Sequence, residues 1–312
     1  MRELYQHTSL SIICGLFGRS RQAWYNLEEN QGKTSLKKEL IMEIVQKIRL
    51  DLPKTGTLKL QHLLKIPFQE HHIAIGRDSL FTLLRENKLL IKNRKRYVTT
   101  TNSNHHFKIW PDLVKRRPSQ MTEEIWVSDI TYLRTKSGFI YLSLVTDAYS
   151  RKIVGFHLSH NLKASGPIKA LKMATRDRLY PQRELIHHSD RGIQYCCQEY
   201  VNLLQENQIQ ISMTQDGSPY DNAIAERVNG ILKTEFGLSE TFESYNMAIG
   251  KVVSSINKYN MIRPHFSCQL QTPHFRHTST QIDNMAFDVN QFQEYRIHVN
   301  PIKEYQFGVN AI

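Results

Sequence analysis

Two aspartates in the second half of the chain occupy positions from which carboxylates could hold a divalent metal. Asp129 lies within an apolar, β-favouring run, and Asp190 directly follows another such run and precedes Arg191-Gly192. An acid buried in a strand without a partner is costly, so a cation is expected beside it. Hard cations such as Mg²⁺ take oxygen ligands, commonly a few carboxylates together with substrate phosphates. The two residues therefore predict a metal site that acts on phosphate esters.

Glu226 is the third candidate ligand, and the predicted helix that carries it determines its orientation. The apolar stripe of that helix consists of Ile224, Val228, Ile231 and Leu232. Glu226 falls on the other side with polar neighbours at spacings of four, three and four, namely Asn222, Asn229 and Lys233. A solvated stripe would give the same pattern, but the two aspartates on the sheet favour a ligand.

Asp147 competes with Asp129 for the role of first carboxylate, because it ends the second predicted strand. It precedes Ala148-Tyr149-Ser150, and aspartate commonly begins turns. We therefore expect Asp147 to act in the turn or to support a ligand, and Asp129 to be the ligand.

Five β-rich runs and three helices are predicted to position these acids. The strands are EIWVSDITYL, GFIYLSLVTD, RKIVGFHLS, ELIHHSD and QIQISMTQ, and the helices span about 165–179, 196–206 and 220–236. Short turns join the first three strands, which predicts an antiparallel meander. The order β-β-β-α-β-α-β-α predicts an α/β RNase H-like core, a mixed five-stranded sheet with helices on both faces. A further helix is expected over 241–262, stopped by Pro264.

The N-terminal part of the chain has the pattern of all-α helix-turn-helix units. Over 8–26, apolar residues at helical spacing precede a second helix that starts near Ser20 and runs through Tyr25. A helix over 35–50 and a second helical pair over 56–88 follow. Residues expected to contact DNA lie at helix starts and in the basic segment after the second pair: Arg19, Arg21, Gln22, Arg77, Arg94, Lys95 and Arg96. A small helical core would give the same periodicity.

The excess positive charge is confined to this N-terminal part. Residues 1–120 contain 22 Lys and Arg but 10 Asp and Glu, whereas the rest of the chain has equal numbers of each sign and the whole chain carries a net charge of +12. Such a bias attracts a polyanion through counterion release, and nucleic acid is the natural partner. A general solubilising bias is the alternative.

The remaining composition excludes several classes of protein. No apolar run is long enough to cross a bilayer and the N-terminus has no signal-peptide pattern, so we expect a cytoplasmic, nucleoid-associated protein without a membrane partner. The four cysteines form no C-x-x-C pair, which favours reduced cysteines over a zinc site.

These patterns divide the chain into six predicted segments. They are helix-turn-helix units at 1–50 and 51–97, a basic linker at 98–120, the catalytic core at 121–238, its helical extension at 239–275 and a tail of uncertain role at 276–312.

Four motifs, WVSDITYL, HHSDRGIQY, SPYDNAIAERVNGILKTE and YNMIRPH, resemble the integrase core of insertion-sequence transposases. The similarity is strongest to the second-reading-frame (OrfB-type) product of the insertion-sequence-3 family. As in that family's DD(35)E signature, 35 residues separate Asp190 from Glu226. The resemblance runs from Ser9 to about Pro273 and implies a DDE transposase that cleaves DNA strands and transfers them.

The resemblance also implies roles for individual residues. Asp129, Asp190 and Glu226 would be the catalytic metal ligands, and Lys233 would contact terminal DNA or its phosphate. The positions that would shape the site are Gly192, Gln194, Tyr195 and Asn222. Cys196-Cys197 departs from the family pattern, which has small polar residues there. Two ions, Mg²⁺ or alternatively Mn²⁺, are expected with DNA bound, in a two-metal phosphoryl transfer.

The family further implies partners and leaves two rival functions open. The partners would be the terminal inverted repeats, target DNA, further copies of the chain and an upstream OrfA-type product, which is commonly joined by a frameshift fusion. One rival is an RNase H-like nuclease without joining activity, and a joining assay separates it from a transposase. The other is a non-catalytic DNA-binding product of a decayed element, against which the intact acids and Lys233 argue.

Overall fold

The computed structural model describes residues 8–91, 108–115, 117–215 and 222–279. The chain divides into two compact units. One extends to Asp51 and from Thr55 to Ile91, and the other comprises Leu52–Lys54 and the chain from Lys92 onward.

The first unit is helical. Its helices are α1 (Leu10–Leu16), α2 (Arg21–Asp51), α3 (Thr57–Leu63), α4 (Lys65–Glu70) and α5 (Arg77–Glu86). The prediction of two separate helices, one ending at Tyr25 and one over 35–50, was wrong, because α2 continues through 31 residues. No proline interrupts that stretch, and the ion pair between Glu29 and Lys33, 2.7 Å apart, spans one turn between the two predicted helices.

The second half of α2 shares one hydrophobic core with the helices that follow it. Ile41 and Val45 of α2 pack in a cluster with Leu60 of α3 and with Leu80 and Leu84 of α5, and all five are buried. The domain boundary predicted at residue 50 therefore falls inside one packed unit.

The second unit is built on a mixed sheet. Its strands are β1 (Ile125–Thr135), β2 (Gly138–Asp147), β3 (Ile153–Ser159), β4 (Leu185–Ser189), β5 (Ile209–Met213) and β6 (Thr241–Phe242). The order is β3-β2-β1-β4-β5, with β6 also paired to β1. The first three strands are antiparallel, whereas β4, β5 and β6 join in parallel. This confirms the RNase H-like core, but the sheet has a sixth strand where the sequence predicted the start of a helix.

Helices cover both faces of the sheet. They are α6 (Ser165–Arg176), α7 (Ile193–Cys196), α8 (Gln198–Glu206), α9 (Ala223–Glu235), α10 (Tyr245–Met261) and α11 (Pro273–Thr278). Alternation along β1 sends Trp126 into the core beneath α6 and α8, whereas Val127 packs with Ala225 of α9. No helix in the described ranges combines the length and apolarity needed to cross a lipid bilayer.

The register of β1 leaves a gap along one edge. On that edge β4 pairs with Ile125–Val127 and β6 with Arg134 and Thr135. Residues 128–133 have no strand partner on that side within the described sheet. Asp129 lies in this gap, beside the carboxyl end of β4, where ligands of open α/β sheets gather.

A buried polar cluster attaches α11 to the start of β1. Glu123 accepts hydrogen bonds from the backbone N–H groups of Leu179 (2.7 Å) and Tyr180 (2.9 Å). His277 of α11 lies with Nε2 3.8 Å from Glu123 and Nδ1 3.7 Å from Asp147. We call Glu123, Asp147 and His277 the α11 clasp, since they join three distant parts of the chain in the core.

Candidate active site

Asp129 is held by two hydrogen bonds in the gap of β1. Its Oδ1 accepts from the backbone N–H of Ile130 (2.9 Å), and its Oδ2 accepts from Nδ2 of Asn229 on α9 (2.7 Å). Burial, followed by the negative charge of Asp190, raises the pKa of Asp129 to about 7. The carboxylate is thus fixed in orientation and destabilised in its charged form.

Asp190 follows β4, and the parallel pairing of β4 with β1 brings it near Asp129. Its Oδ1 accepts a hydrogen bond from the backbone N–H of Gly192 (3.0 Å). Burial raises the pKa of Asp190 as well. A methyl group on Gly192 would lie 2.9 Å from this oxygen, so glycine permits the close turn around the carboxylate.

Glu226 lies in the first turn of α9, on the side of that helix predicted from the sequence. Burial and the charge of Asp190 raise its pKa, and its own charge raises that of Asp129. The three acids are therefore electrostatically coupled. Among the described residues, however, no three His, Cys, Asp or Glu side chains converge into a cluster that could enclose a metal. Glu226 stands near the aspartate pair rather than in a closed ligand set with it.

The start of α9 is fixed to β1 by Asn222. This residue occupies the N-cap position but makes no capping hydrogen bond, and its Nδ2 donates to the backbone carbonyl of Ser128 (2.9 Å). With the bond from Asn229 to Asp129, two asparagines of α9 hold the helix against the gap. Asn229 was not among the predicted site residues, although it shares the polar side of the helix with Glu226, and that shared face was the available signal.

The other residues predicted to shape the site lie at the start of α7. Tyr195 is buried, and burial together with the charges of Asp190 and Asp129 raises its pKa well above the usual value. The Nε2 of Gln194 donates to the backbone carbonyl of Leu162 (2.9 Å), and its Oε1 lies on the same side of Gly192 as the Asp190 carboxylate. Cys196 is buried beside Met213, with the sulfur atoms 3.7 Å apart, so this departure from the family pattern fills the core.

His187 of β4, an uncharged histidine, contacts β1 on the side of the sheet that faces α8. The Nε2 of His187 lies 2.7 Å from Ser128 Oγ and 2.9 Å from the hydroxyl of Tyr200. Burial lowers the pKa of His187 to about 3, so the ring is uncharged at neutral pH. This contact, which the sequence did not predict, joins β1 to β4, the strand that Asp190 follows.

Lys233 of α9 interacts electrostatically with Asp129. Its Nζ lies 4.4 Å from the ring centroid of Tyr132. Burial lowers the pKa of Lys233, and the charge of Asp129 opposes that shift. The lysine therefore faces the gap of β1, two turns along α9 from Glu226.

Asp147 lies outside this site, as the sequence predicted. Its Oδ1 accepts hydrogen bonds from the backbone N–H and the hydroxyl of Ser150, both at 2.7 Å. Its Oδ2 accepts from the backbone N–H of Glu123 (2.8 Å). It begins the turn after β2 and belongs to the α11 clasp.

The predicted DNA-contacting residues of the first unit are exposed where the structure describes them. Arg19 precedes α2, Arg21 and Gln22 form its first turn, and Arg77 begins α5. The Nε of Arg77 donates to Asp78 (2.9 Å), and the Nε2 of Gln22 donates to Asn26 (3.1 Å). Three further predicted residues lie outside the described ranges: Arg94, Lys95 and Arg96.

The donor set of the site suits a hard divalent cation. Asp129, Asp190 and Glu226 offer only carboxylate oxygens, and within the described residues none of them has a Lys or Arg partner at salt-bridge distance. A cation between the aspartates would reverse the repulsion that raises the pKa of Asp129. Magnesium fits such a set, because it prefers a few carboxylates and completes its shell with water and phosphate oxygens.

The chain is similar in sequence to known integrase core domains and transposases. Two models of the integrase core domain match residues 120–219 and 207–273. An uncharacterized 31 kDa protein of insertion element IS600 from Shigella sonnei is 32% identical over 255 residues, which cover 81% of this chain and 93% of that protein. The transposase InsF of insertion sequence IS3A from Escherichia coli K12 is 29% identical, over 83% of this chain and 91% of its own length.

More distant or partial likenesses cover the core. A putative transposase of insertion element IS986/IS6110 from Mycobacterium tuberculosis H37Rv is 41% identical over 129 residues, 40% of this chain and 46% of that protein. Among solved structures, the catalytic core domain of the integrase of HTLV-2, with magnesium, is 17% identical, with a TM-score of 0.40 over 50% of this chain and 97% of that one.

The matching integrase core domain and the transposase relatives define an RNase H-like polynucleotidyl transferase of the DDE class. Within that class, the chain belongs to the insertion-sequence-3 family of transposases.

Proposed function

We propose that this chain cleaves DNA at the ends of its own insertion sequence and joins those ends to target DNA, with Asp129, Asp190 and Glu226 as the metal ligands. The observation that carries the proposal is the aspartate pair on neighbouring parallel strands. Each carboxylate is oriented by its own hydrogen bonds, and the two repel each other without a cationic partner in the described chain.

The ion at these carboxylates would be Mg²⁺, with Mn²⁺ as a substitute, and two ions would be held once DNA is bound. Bound there, divalent metal would supply charge neutralisation at the phosphodiester and acidify a bound water or hydroxyl group. Glu226 would complete the ligand set from α9. The hydrogen bond between Asn229 and Asp129 couples α9 to β1, so a movement of α9 would shift the carboxylate of Asp129.

The protein's own groups would orient the DNA around this centre. Lys233, close to Asp129 and partly desolvated, is suited to a phosphate oxygen of the element end. Gly192 and Asn222 would keep the β4 exit loop and the α9 start in place. No covalent protein–DNA intermediate is needed, because the hydroxyl group of water or of a DNA 3′ end would attack the phosphorus in line and displace the 3′ oxygen of the strand that is cut.

We propose that the N-terminal unit reads the terminal inverted repeats. The exposed residues at the starts of α2 and α5 would meet base edges or phosphates, and the basic segment after α5 would follow the backbone. The proposed contacts are Arg19, Arg21, Gln22, Arg77, Arg94, Lys95 and Arg96. The chain would act as a homo-oligomer on DNA, together with or fused to an upstream OrfA-type product, in the cytoplasm at the nucleoid.

Asp190→Asn tests the proposal in a joining assay with oligonucleotides that carry the terminal repeats. Loss of one ligand charge should abolish cleavage and joining, by at least about 1,000-fold, and leave end binding nearly intact. Asp177→Asn is the matched control, because this exposed aspartate pairs with Arg176 away from the site. Strand transfer by Asp190→Asn would refute the ligand assignment, and cleavage without joining in the unaltered chain would favour a nuclease.

A further inference from the structure

A small cavity lies against α9, on the side of the helix opposite the candidate active site. Its volume is about 210 Å³, and its polar lining comprises Arg151, Arg227, His265 and Ser267. Its apolar lining comes from α9 itself, namely Ala223, Ile224 and Val228. Because Glu226, Asn229 and Lys233 occupy the other side of the helix, the cavity is separate from the metal site. We call it the Arg151 pocket.

Arg151 has a buried guanidinium nitrogen in this pocket that lacks a hydrogen-bond acceptor. Its Nη1 is buried and has no hydrogen-bond partner in the structure. A buried guanidinium N–H without an acceptor is unfavourable, so we expect a ligand to supply a hydrogen-bond acceptor in the functional state. The backbone of Arg151 is fixed, because its N–H donates to the carbonyl of Asp147 (2.9 Å) and its carbonyl accepts from the Tyr259 hydroxyl (2.9 Å).

The conformation of Arg151 supports a constrained role. Its φ is 64°, a left-handed conformation that non-glycine residues adopt uncommonly. It sits in the turn between β2 and β3, and this turn directs the side chain toward α9 rather than into solvent. Turn and hydrogen bonds together hold a cation at the back of the helix that carries Glu226.

The charge and size of the pocket identify the class of ligand. Its ionisable lining groups are two arginines and a histidine, and no Asp or Glu belongs to the lining. Guanidinium groups match phosphate oxygens in both charge and geometry. The volume is below the roughly 300 to 1,000 Å³ of sites that enclose a drug-sized ligand, so it suits one phosphate group better than a whole nucleotide.

We propose that the Arg151 pocket binds one backbone phosphate of DNA, away from the phosphate that reacts. The inference rests on the proposed function, since it takes DNA as the substrate. Arg227, exposed at the mouth and adjacent to Glu226 in sequence, captures the phosphate, and Arg151 receives it deeper in the pocket. A strand held there anchors α9 from behind while its other side faces the metal site.

The test compares Arg151→Gln and Arg227→Gln with Arg176→Gln in the full chain. Arg176 is an exposed arginine on α6, paired with Asp177, and serves as the matched control. Affinity for terminal-repeat duplex is measured against salt concentration. Each pocket variant should lose one phosphate contact, which reduces the slope of log K against log salt by about 0.9, and should bind about tenfold more weakly at low salt. Slopes equal to that of Arg176→Gln would overturn the proposal.

Methylphosphonate substitution, one DNA position at a time, locates the contact. One neutral linkage should weaken DNA binding by the unaltered chain but should not weaken binding by Arg227→Gln. Because Arg227 is exposed, misfolding would not explain a lower DNA affinity of that variant. If inorganic phosphate raises the melting temperature while no DNA linkage shows this pattern, the pocket is a free-anion site and the proposal fails. Binding needs no catalysis, so these results are independent of the joining assay that judges the proposed function.

Discussion

Asn229 connects the helix that carries Glu226 to the strand that carries Asp129. Its Nδ2 donates to Asp129 Oδ2 at 2.7 Å, and the residue is buried. Partners that orient a ligand typically contribute 10- to 100-fold to metal affinity or activity. Asn229→Ala should therefore lower strand transfer by about 10- to 100-fold and raise the Mg²⁺ concentration needed for half-maximal activity.

A Mg²⁺ titration of strand transfer, run beside an end-binding assay, checks this expectation. Asn202→Ala is the matched control, because Asn202 is exposed on α8 and bonds only to Gln198 among the contacts described (2.6 Å). Unaltered Mg²⁺ dependence in Asn229→Ala would show that the asparagine does not position the carboxylate.

Gly192 tests the geometry around the second aspartate. Its φ of −60° is accessible to any residue, so alanine introduces no backbone strain. Its added methyl group would lie 2.9 Å from Asp190 Oδ1, and the carboxylate would have to shift. Gly192→Ala should lower activity by about 10- to 100-fold while the melting temperature changes little.

Gly230→Ala on α9 provides the comparison for Gly192→Ala, since a methyl group there meets no atom within 4 Å. Alanine favours the helix at that position, so activity should be retained and stability should rise slightly. Equal activity in the two variants would contradict the close contact between Gly192 and Asp190.

At the scale of elements, the α11 clasp makes stability depend on pH in two opposite directions. Burial by itself raises the pKa of Glu123, but His277 and the N–H groups of Leu179 and Tyr180 lower it to about 2. Burial by itself lowers the pKa of His277, but Asp147 and Glu123 raise it above its usual value. Both shifts reflect charges that are stabilised only in the folded state.

The contribution of Glu123 to the free energy of unfolding is present above its unfolded pKa of 4.5 and is lost as pH falls toward 2. This loss is on the order of 3 kcal/mol. The His277 contribution is present below 6.5 and is lost as pH rises through the raised folded pKa. Denaturant unfolding from pH 3 to 9 should show both declines. His277→Gln should remove the alkaline decline, and its persistence in that variant would assign the decline to another group.

Local sequence patterns predicted most of the strands but not every helix boundary. The five main strands were predictable, because alternation and apolar runs are local signals. The continuity of α2 was not, since Asn and Gly within a helix resemble a linker until tertiary packing decides. The strand β6 has two residues and exists only through its pairing with Arg134 and Thr135, a contact that no local pattern encodes.

At the scale of the whole molecule, the candidate site combines parts that are far apart in sequence. The sequence could indicate Asp129 and Asp190 as candidates, because Asp129 interrupts an apolar strand and Asp190 directly follows one. The bond from Asn229 to Asp129 spans 100 residues and that from Asn222 to Ser128 spans 94. His277 of the α11 clasp lies in a region that has no clear periodicity. Such contacts depend on the assembled sheet, so the sequence could indicate the polar face of α9 but not its partners.

The role of Asp190 as a metal ligand is tested by the metal preference of Asp190→Cys in the joining assay, under reducing conditions. A thiolate is a poor ligand for Mg²⁺ but a better one for the softer Mn²⁺. The variant should lose about 100-fold or more of its activity with Mg²⁺ and recover a substantial part with Mn²⁺. Full activity of the variant with Mg²⁺, or a ratio of Mn²⁺ to Mg²⁺ activity equal to that of the unaltered chain, would contradict Asp190 as a ligand.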